Sequence, residues 1–579
     1  TTFGDSKRSY GGRQEVPFQG SCQGNGASPA MWLMISMYLV LLAREEKHVT
    51  TFSSAFSGLT IVLIGFLFVD DTDLVIMGNS NDSTMDVIHK MQKAIDFWNG
   101  ILRVSGGALK PEKCYWYLAQ FEWKKGKHKL IQTTPETIKI TTEDGKRTVI
   151  DYKKPNEATE AVGVWQDMVG SSNKQVEVVI ENIRKIHESM NETPLPRHLN
   201  WIGLKQAIWK SIEYILPATT FSENDCTRIC KELYRPLLPK LGCNRNFPLL
   251  LRYNEPSLMG LGLANPYWEQ GFSHIDILLT HGGCNTITGR LLSAMIEQHQ
   301  LEIGMIEHLF ELKYEDFQHL TEETWITNTW RFLNKFDIHL LNADAPRIML
   351  PRENDVTIMK ALKQTCKLTK KEETSFNRVR CHLQLLSIAD IATSCGTRIC
   401  QKYLEGTNDT NSTFDWHKEK PDTGDYKIWK KYLPNLLNNT NQLKFPVGKW
   451  TRKSHRKWSW FYCEDTDRIF ERKTNGYIVY VKSMNATRNN ALYITSSGIV
   501  PRPEKVIFMS FSFLSPTSVK FEAIITGQTI NTLPSPVATL EHPFWMLRDS
   551  NITEHQTLTW IKEGLYKETL RAVCDGSYC

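Results

Sequence analysis

The sequence predicts a mixed α+β fold, and three regional patterns support this prediction. Short apolar and β-branched runs alternate with helical segments over residues 1–170. Apolar residues then recur at helical spacing over 171–310 and continue, with loops, over 311–440. Trp-rich and β-branched runs return over 441–579, with a final helix over 553–567. We expect a sheet with helices, then a helical region, then a mixed α/β extension.

The composition restricts the class of protein. The 579 residues are 41% hydrophobic and 23% charged, which excludes a wholly disordered or collagen-like chain. The net charge is +6 and the pI is near 8.5, below the pI of about 9 that would by itself indicate a nucleic-acid partner. The 13 cysteines form no C-x-x-C pair, so we expect free thiols in a reducing compartment.

The apolar runs of the chain are short. Those over residues 31–43 and 61–69 are below the ~20 residues that a membrane helix needs. No charged-then-apolar leader follows Thr1. We therefore expect an intracellular protein, nuclear or cytoplasmic, that is neither secreted nor bound to a membrane.

The first region contains a series of predicted strands separated by turn residues. Gly126 and the Glu143-Asp144-Gly145 sequence separate three of them, which favours an antiparallel meander. The predicted strands are 114–123, 128–133, 137–142 and 147–152. Further along, we predict helices over 176–190 and 198–216 and strands over 476–481, 505–513 and 519–526.

An acidic turn between two apolar runs is the main chemical feature. The run 61–69 is followed by Asp70, Asp71, Thr72 and Asp73, and then by the apolar run 74–77. This pattern predicts a hairpin with carboxylates at its tip and arms buried on both faces. Burying charge beside such arms costs several kcal/mol per ion unless a cation compensates, and oxygen ligands favour Mg²⁺ or Mn²⁺. A solvated aspartate-rich turn is the alternative.

A glycine-rich segment precedes an apolar helix that we expect to begin near Met31. Gly24 and Gly26 allow a ligand to approach the backbone closely, and Ser28 and Pro29 suit a helix start. Because helix N-termini favour phosphate, this segment is a candidate phosphate site. Its position about 45 residues before the acidic hairpin strengthens both assignments.

Together these segments resemble the conserved motifs of reverse transcriptases, the RNA-directed DNA polymerases, and most closely those of non-LTR retrotransposons. Residues 23–29 resemble motif B and residues 68–71 resemble motif C. Residues 105–113 are similar to motif D, and residues 161–164 are a weaker match to motif E, the primer grip. Motif A and the fingers have no counterpart, because the acidic residues before Gln23 do not lie in an apolar strand.

The resemblance implies a division of the chain. Residues 1–170 would be a polymerase palm remnant, 171–310 a helical thumb and 311–440 a mainly helical connector. Residues 441–569 would be a Trp-rich mixed α/β region with a basic patch. Residues 570–579 resemble the first strand of a ribonuclease H domain, although Asp-Gly-Ser is also ordinary turn chemistry.

The resemblance also implies roles for single residues. Asp70 and Asp71 would bind two Mg²⁺ or Mn²⁺ ions, and Lys113 would protonate the leaving pyrophosphate. Gly163 would belong to the primer grip. The residues that would contact the template and the incoming nucleotide are Gln23, Gly24, Gly26 and Pro29.

A basic and aromatic segment over residues 449–462 is a further candidate site. Arg452, Lys453, Arg456 and Lys457 can bind phosphates, and exposed aromatic residues can stack on bases. The alternative is a basic loop that leads into a strand whose tryptophans fill a core. A second basic stretch, 124–129, lies at a predicted hairpin turn.

We therefore expect a fragment of a retrotransposon reverse transcriptase. It would transfer nucleotides onto a primer 3′-hydroxyl with two metal ions, and its partners would be an RNA template, a DNA primer, deoxynucleoside triphosphates and other segments of the same polyprotein. In the family that the chain resembles, a third metal-binding carboxylate lies in motif A. Because motif A has no counterpart here, this polypeptide alone should be inactive. The alternative function is a non-catalytic nucleic-acid-binding remnant of a decayed element.

Overall fold

A computed structural model gives the fold. It describes residues 28–54, 56–68, 71–79, 82–105, 107–124, 127–131, 135–142, 144–192, 194–340, 348–393, 396–406, 420–448 and 451, and the backbone of eight strands between 460 and 530. The described residues form helices and small, mostly antiparallel sheets, which confirms the mixed α+β class.

The first part of the chain combines two long helices with short strands. In order these are α1 (Ser28–Glu45), β1 (Thr50–Ser53), β2 (Thr60–Leu63), β3 (Gly65–Phe68), β4 (Asp71–Leu74), α2 (Thr84–Val104), a 3₁₀ turn (Pro111–Lys113), β5 (Tyr115–Tyr117), β6 (Phe121–Lys124), β7 (Lys127–Leu130), β8 (Lys139–Thr141), β9 (Arg147–Val149), β10 (Asp151–Lys153), β11 (Thr159–Ala161) and β12 (Val164–Gln166).

The middle of the chain is helical. Its helices are α3 (Asn173–Glu192), α4 (Arg197–Gly203), a π-helical turn (Leu204–Ile208), α5 (Trp209–Ile215), α6 (Glu223–Lys240), α7 (Leu249–Tyr253), α8 (Pro266–His281), α9 (Ile287–Ile303), α10 (Tyr314–Phe317), α11 (Trp325–Lys335), α12 (Ile358–Thr365), α13 (Lys370–His382), α14 (Ile388–Ile391), α15 (Gln401–Glu405) and α16 (Thr423–Tyr432). Short 3₁₀ turns occupy Leu216–Ala218, Pro256–Leu258, Leu309–Glu311 and Leu433–Leu436.

The last described strands form one antiparallel sheet. They are β13 (Trp460–Cys463), β14 (Arg468–Lys473), β15 (Gly476–Lys482), β16 (Leu492–Thr495), β17 (Val506–Phe508), β18 (Phe511–Ser515), β19 (Ser518–Phe521) and β20 (Thr529–Ile530). Their order in the sheet is β18-β19-β16-β15-β14-β13-β17-β20. The strand predicted over 476–481 is confirmed as β15, and that over 505–513 is divided between β17 and β18.

Side chains at the helix starts explain several helix boundaries. Ser83 before α2 and Ser222 before α6 each accept a hydrogen bond from the backbone N–H three residues later, and the carboxylate there accepts one from the serine N–H. These capping boxes satisfy donors that would otherwise lack a partner. The predicted helix 176–190 is confirmed as α3, and 198–216 is confirmed with a π-helical turn inside it. The helix expected near Met31 begins earlier, at Ser28.

The predicted antiparallel meander is wrong. The pairs β6–β7 and β8–β9 are antiparallel hairpins, but β5 pairs in parallel with β10. The predicted strand 114–123 is divided into β5 and β6, and Trp116, Leu118 and Ile150 lie together in one buried cluster. These buried side chains bring β5 and β10 together across the intervening hairpins.

The described residues form several hydrophobic clusters. One joins α1 and α2 to the strands between them through Leu39, Ile64 and Trp98. A second lies around α3, α5 and α6, and the largest spans residues 278–447. None of the helices that the structure describes is both long and apolar enough to cross a membrane.

A buried carboxylate joins the first part of the chain to the helical part. Glu297 of α9 is 1% exposed, and its Oε1 accepts hydrogen bonds from the backbone N–H groups of Phe56 (2.6 Å) and Ser57 (3.0 Å). Phe56, in the loop between β1 and β2, also packs against Leu301 and its neighbours. This contact fixes the tip of the β1–β2 hairpin on α9.

Candidate functional site

The acidic hairpin predicted around Asp70 and Asp71 is present. Strands β3 and β4 pair antiparallel, with Phe68 opposite Asp71 and Phe66 opposite Asp73. Asp70, which we predicted at the tip, lies outside the described residues. The hairpin is confirmed, but its arms differ from the prediction: the run 61–69 is divided between β2 and β3, and the second arm, β4, contains Asp71 and Asp73 instead of the apolar run 74–77.

The prediction that both faces of the arms are buried is wrong. Leu67 and Leu74 point inward and pack against the cluster formed by α1 and α2. Phe66 and Phe68 are each 57% exposed, and Asp71 and Asp73 are exposed beside them. The reason is that α1 and α2 cover one face only, and side chains alternate between faces along a strand.

The outer face of the hairpin carries two interacting carboxylates. Asp71 and Asp73 are two residues apart on β4 and therefore share a face. Partial desolvation, followed by the negative charge of Asp71, raises the pKa of the Asp73 carboxyl above its usual range. A bound cation would reduce this repulsion.

Asp73 is the carboxylate that sequence reasoning missed as a site residue. The sequence could have indicated Asp73, because side chains alternate along a strand. Asp73 therefore lies on the same face of β4 as Asp71, and Thr72 lies on the other face. No group of three or more potential metal-ligating side chains occurs among the residues that the structure describes. The described part of the hairpin thus offers two carboxylates to a metal.

A close backbone approach makes glycine necessary at the base of the hairpin. A Cβ built on Gly65 would overlap the carbonyl oxygen of Asp73 on the neighbouring strand. Glycine avoids this overlap because it has no side chain. Gly65 therefore helps to fix the register that places Asp71 and Asp73 on the outer face.

The other predicted polymerase residues are distributed over several elements. Pro29 lies in the first turn of α1 and is exposed. Lys113 ends the 3₁₀ turn before β5 and is exposed. Among the described residues, no hydrogen bond or ion pair joins either of them to Asp71 or Asp73. The predicted site residues that lie outside the described residues are Gln23, Gly24, Gly26, Asp70, Arg452, Lys453, Arg456 and Lys457.

Gly163, the predicted primer-grip residue, lies in a tight turn between β11 and β12. Its φ is 76°, and that of the preceding Val162 is 49°. A left-handed conformation is unfavourable for a β-branched residue and costs about 1–3 kcal/mol. Val162 is nonetheless 44% exposed, so surrounding contacts must hold the turn in place.

Helix residues supply those contacts. Tyr214 of α5 donates a hydrogen bond from its hydroxyl to the Val162 carbonyl oxygen at 2.9 Å. The Gln166 amide donates to the Ala218 carbonyl oxygen at 2.7 Å, and the Trp165 backbone N–H donates to the Gln175 side chain at 2.6 Å. The β11–β12 hairpin is therefore fixed on α3 and α5 and presents its turn to solvent.

The helical segment that carries Tyr214 also presents cations and aromatic rings. The Lys205 ammonium lies 5.8 Å from the centre of the Trp201 ring, and Lys205 and Lys210 are both exposed. Lys205 lies in the π-helical turn between α4 and α5. Exposed lysines and partly exposed rings of this kind can contact a nucleic-acid backbone and its bases. Helical periodicity alone did not indicate this surface.

Comparison with known proteins gives this chain no relatives: no protein-family model, no curated protein and no solved structure matches it.

Proposed function

We propose that this chain is the palm and thumb part of a retrotransposon reverse transcriptase, a nucleotidyltransferase that extends a DNA primer on an RNA template. The observation that carries the proposal is the pair Asp71 and Asp73 on the exposed face of a tight hairpin whose opposite face is anchored in the core. The resemblance of residues 23–29, 68–71 and 105–113 to polymerase motifs, in this order, supports the same function.

These two carboxylates, together with Asp70 of the same acidic segment, are the groups that would hold divalent cations. Bound Mg²⁺ or Mn²⁺ supplies positive charge that stabilises the attacking and leaving oxygens of phosphoryl transfer. Phe66 and Phe68 flank the carboxylates and lower the local polarity, which strengthens electrostatic interactions at this face. Asp70 and Asp71 are the ligands by family resemblance, and Asp73 adds a further carboxylate beside Asp71.

The remaining residues would bind and orient the substrates. The helix start at Pro29 would receive nucleotide phosphates, and Lys113 would donate a proton to the leaving pyrophosphate. The turn at Val162 and Gly163 would hold the primer end through its exposed backbone, while Lys205 and Lys210 would contact the duplex backbone. The fixed β11–β12 hairpin supports this role, because positioning a primer needs a rigid contact.

Manganese binding tests the proposal without requiring turnover. The chain is mixed with an RNA–DNA template–primer and a deoxynucleoside triphosphate, and bound Mn²⁺ is measured by electron paramagnetic resonance. We expect Asp71→Asn and Asp70→Asn each to weaken Mn²⁺ binding by about tenfold or more, because each removes a charged ligand. Asp144→Asn, which changes an exposed carboxylate in the β8–β9 turn, is the matched control and should bind as the wild type does. Equal Mn²⁺ affinity in all four proteins would contradict the proposal.

The non-catalytic alternative is favoured by one observation. The described residues contain no third carboxylate beside Asp71 and Asp73. If template–primer binds with the same affinity whether Mn²⁺ is present or absent, and Asp71→Asn changes nothing, nucleic-acid binding without catalysis is the function. Primer extension that is lost in Asp71→Asn would instead establish a polymerase that is active as this chain.

A further inference from the structure

A groove beside the 3₁₀ turn Pro111–Lys113 is separate from the proposed metal site, because none of its lining residues belongs to the β3–β4 hairpin. It has a volume of about 670 Å³ and lies between the 3₁₀ turn before β5, the segment that leads into β8, and strands β9 and β10. Such a volume is within the range of sites that bind small molecules or short peptide segments. The groove is open along one side, so an extended ligand can enter it.

Aromatic and proline side chains line part of the groove. The Tyr152 ring packs on the Trp116 ring with their centres 5.1 Å apart, and Trp116 is 6% exposed. Pro111 and Pro135 also line the groove, and the lining residue Val149 is 50% exposed. Proline and aromatic surfaces bury the side chains of a bound peptide without losing much conformational freedom of their own.

The charge of the groove is negative, whereas the chain as a whole carries +6. Glu112, Glu136 and Asp151 line it, and no lysine, arginine or histidine does so among the described residues. Asp151 is already paired with Lys153, whose Nζ lies 3.0 Å from its carboxylate. Glu112 and Glu136 therefore provide the charge that is available to a ligand.

A strand edge runs along the groove. Among the strands that the structure describes, β9 pairs with β8 only, and all three residues of β9 are exposed. Two backbone hydrogen bonds flank the β8–β9 hairpin. The Thr142 N–H donates to the Lys146 carbonyl oxygen, and the Ile150 N–H donates to the Ile138 carbonyl oxygen. These bonds determine which residues of β9 hydrogen-bond to β8 and which alternate residues do not. By that alternation the N–H and carbonyl groups of Val149 point away from β8. An extended peptide can therefore pair with this edge.

We propose that this groove binds an extended, basic peptide segment of a partner protein. The peptide adds as a strand to the outer edge of β9, its apolar side chains pack on Tyr152 and the prolines, and its lysine or arginine side chains pair with Glu112 and Glu136. Backbone pairing supplies affinity, and the two carboxylates select for positive charge. This assignment does not depend on polymerase activity.

Fluorescence anisotropy with labelled nine-residue peptides tests the assignment. The probes are a peptide of alternating arginine and valine, the same peptide with glutamate in place of arginine, and the arginine peptide with alternate backbone amides N-methylated. We expect saturable binding of the arginine peptide alone. The Glu112→Gln/Glu136→Gln double variant should bind it about tenfold more weakly, since two partly exposed ion pairs are lost.

Two further measurements make the test decisive. Glu177→Gln/Glu181→Gln removes two exposed carboxylates from α3 and is the matched control, so it should bind the arginine peptide as the wild type does. Circular dichroism establishes that both double variants are folded. Unchanged affinity in Glu112→Gln/Glu136→Gln, equal binding of the glutamate peptide, or full binding of the N-methylated peptide would each overturn the proposal.

Discussion

His274 is a histidine that the fold keeps neutral. It lies on α8 with no exposed surface, and its Nε2–H donates to the Thr219 carbonyl oxygen at 3.0 Å. This bond fixes the tautomer, and the Thr329 hydroxyl lies 3.1 Å from Nδ1. The Trp325 ring lies 4.4 Å away, centre to centre. Burial lowers the pKa of His274 from 6.5 to about 4.

This lowered pKa predicts acid sensitivity of the helical part. Below pH 6.5 the unfolded chain takes up a proton at His274 that the folded chain does not, so stability is lost as the pH falls from 6.5 towards 4. Between pH 7 and pH 5 the free energy of unfolding should fall by about 2 kcal/mol through this residue. Urea unfolding of His274→Gln should lack this contribution, whereas His198→Gln, at an exposed histidine, should retain it. An identical pH dependence in both variants would contradict the prediction.

Tyr214 is the residue on which the β11–β12 turn depends. Tyr214→Phe removes the hydrogen bond to the Val162 carbonyl and keeps the ring, so it should destabilise the turn by at most about 1 kcal/mol. Amide hydrogen exchange over residues 159–166 should accelerate, since Val162 is held in an unfavourable conformation. Tyr38→Phe, at an exposed tyrosine of α1, is the control. Unchanged exchange in Tyr214→Phe would show that other contacts hold the turn.

At the scale of elements, some features of the β3–β4 hairpin could be predicted from sequence patterns and others could not. The apolar run and the acidic residues predicted a hairpin, because this depends on neighbouring residues, but they predicted a second strand over 74–77, whereas β4 is Asp71–Leu74. The exposure of Phe66 and Phe68 could not be predicted, because it depends on whether another element covers the outer face. The position of Asp73 on the same face as Asp71 follows from alternation once these residues are assigned to a strand.

In other elements too, local sequence patterns predicted some features and missed others. The helical spacing of residues 198–216 predicted a helix but not the π-helical turn at Leu204–Ile208, which the packing of its neighbours accommodates. The parallel pairing of β5 with β10 joins segments more than thirty residues apart, and local turn signals favour pairing between neighbours instead. The acidic groove likewise forms only when these distant strands meet, so no continuous motif indicated it.

Gly65 provides a test of the hairpin as an element. Gly65→Ala places a methyl group against the Asp73 carbonyl, and we expect the hairpin to lose about 1–3 kcal/mol of stability. Gly100→Ala makes the same chemical change inside α2, where nothing lies near the new methyl group, and should stabilise the protein by about 0.5–1 kcal/mol. Thermal denaturation compares the two. A stable Gly65→Ala variant with unchanged Mn²⁺ binding would show that the register tolerates a side chain.

At the scale of the whole molecule, charge and packing are unevenly distributed. The chain is basic overall, but negative charge gathers on the outer face of β4 and in the groove beside β9. The first part of the chain has small clusters, whereas the largest one lies within residues 278–447. Because the clusters of the first part are small, we expect the contact between Glu297 and the β1–β2 loop to contribute to the stability of this part of the chain.

Substitution of Glu297 tests this long-range contact. Glu297→Ala leaves the N–H groups of Phe56 and Ser57 without their acceptor, and this should cost about 2–4 kcal/mol. Glu297→Gln keeps an acceptor oxygen and should restore most of the stability. Hydrogen exchange at residues 56–57 measures the effect, with Glu188→Gln on α3 as the control. Slow exchange in Glu297→Ala would refute the coupling.

The hydrogen bonds that Glu297 accepts from Phe56 and Ser57 also affect the position of the β3–β4 hairpin. Only Ile64, at a bend of the chain, separates β2 from β3, and its carbonyl oxygen accepts a hydrogen bond from the backbone N–H of Val75, just after β4. The β1–β2 loop is held on α9 by Glu297, and β2 leads through Ile64 into the β3–β4 hairpin that bears Asp71 and Asp73. A displacement of α9 would therefore be transmitted through β2 and Ile64 to these carboxylates. The placement of the carboxylates thus depends on a helix more than two hundred residues away in the chain.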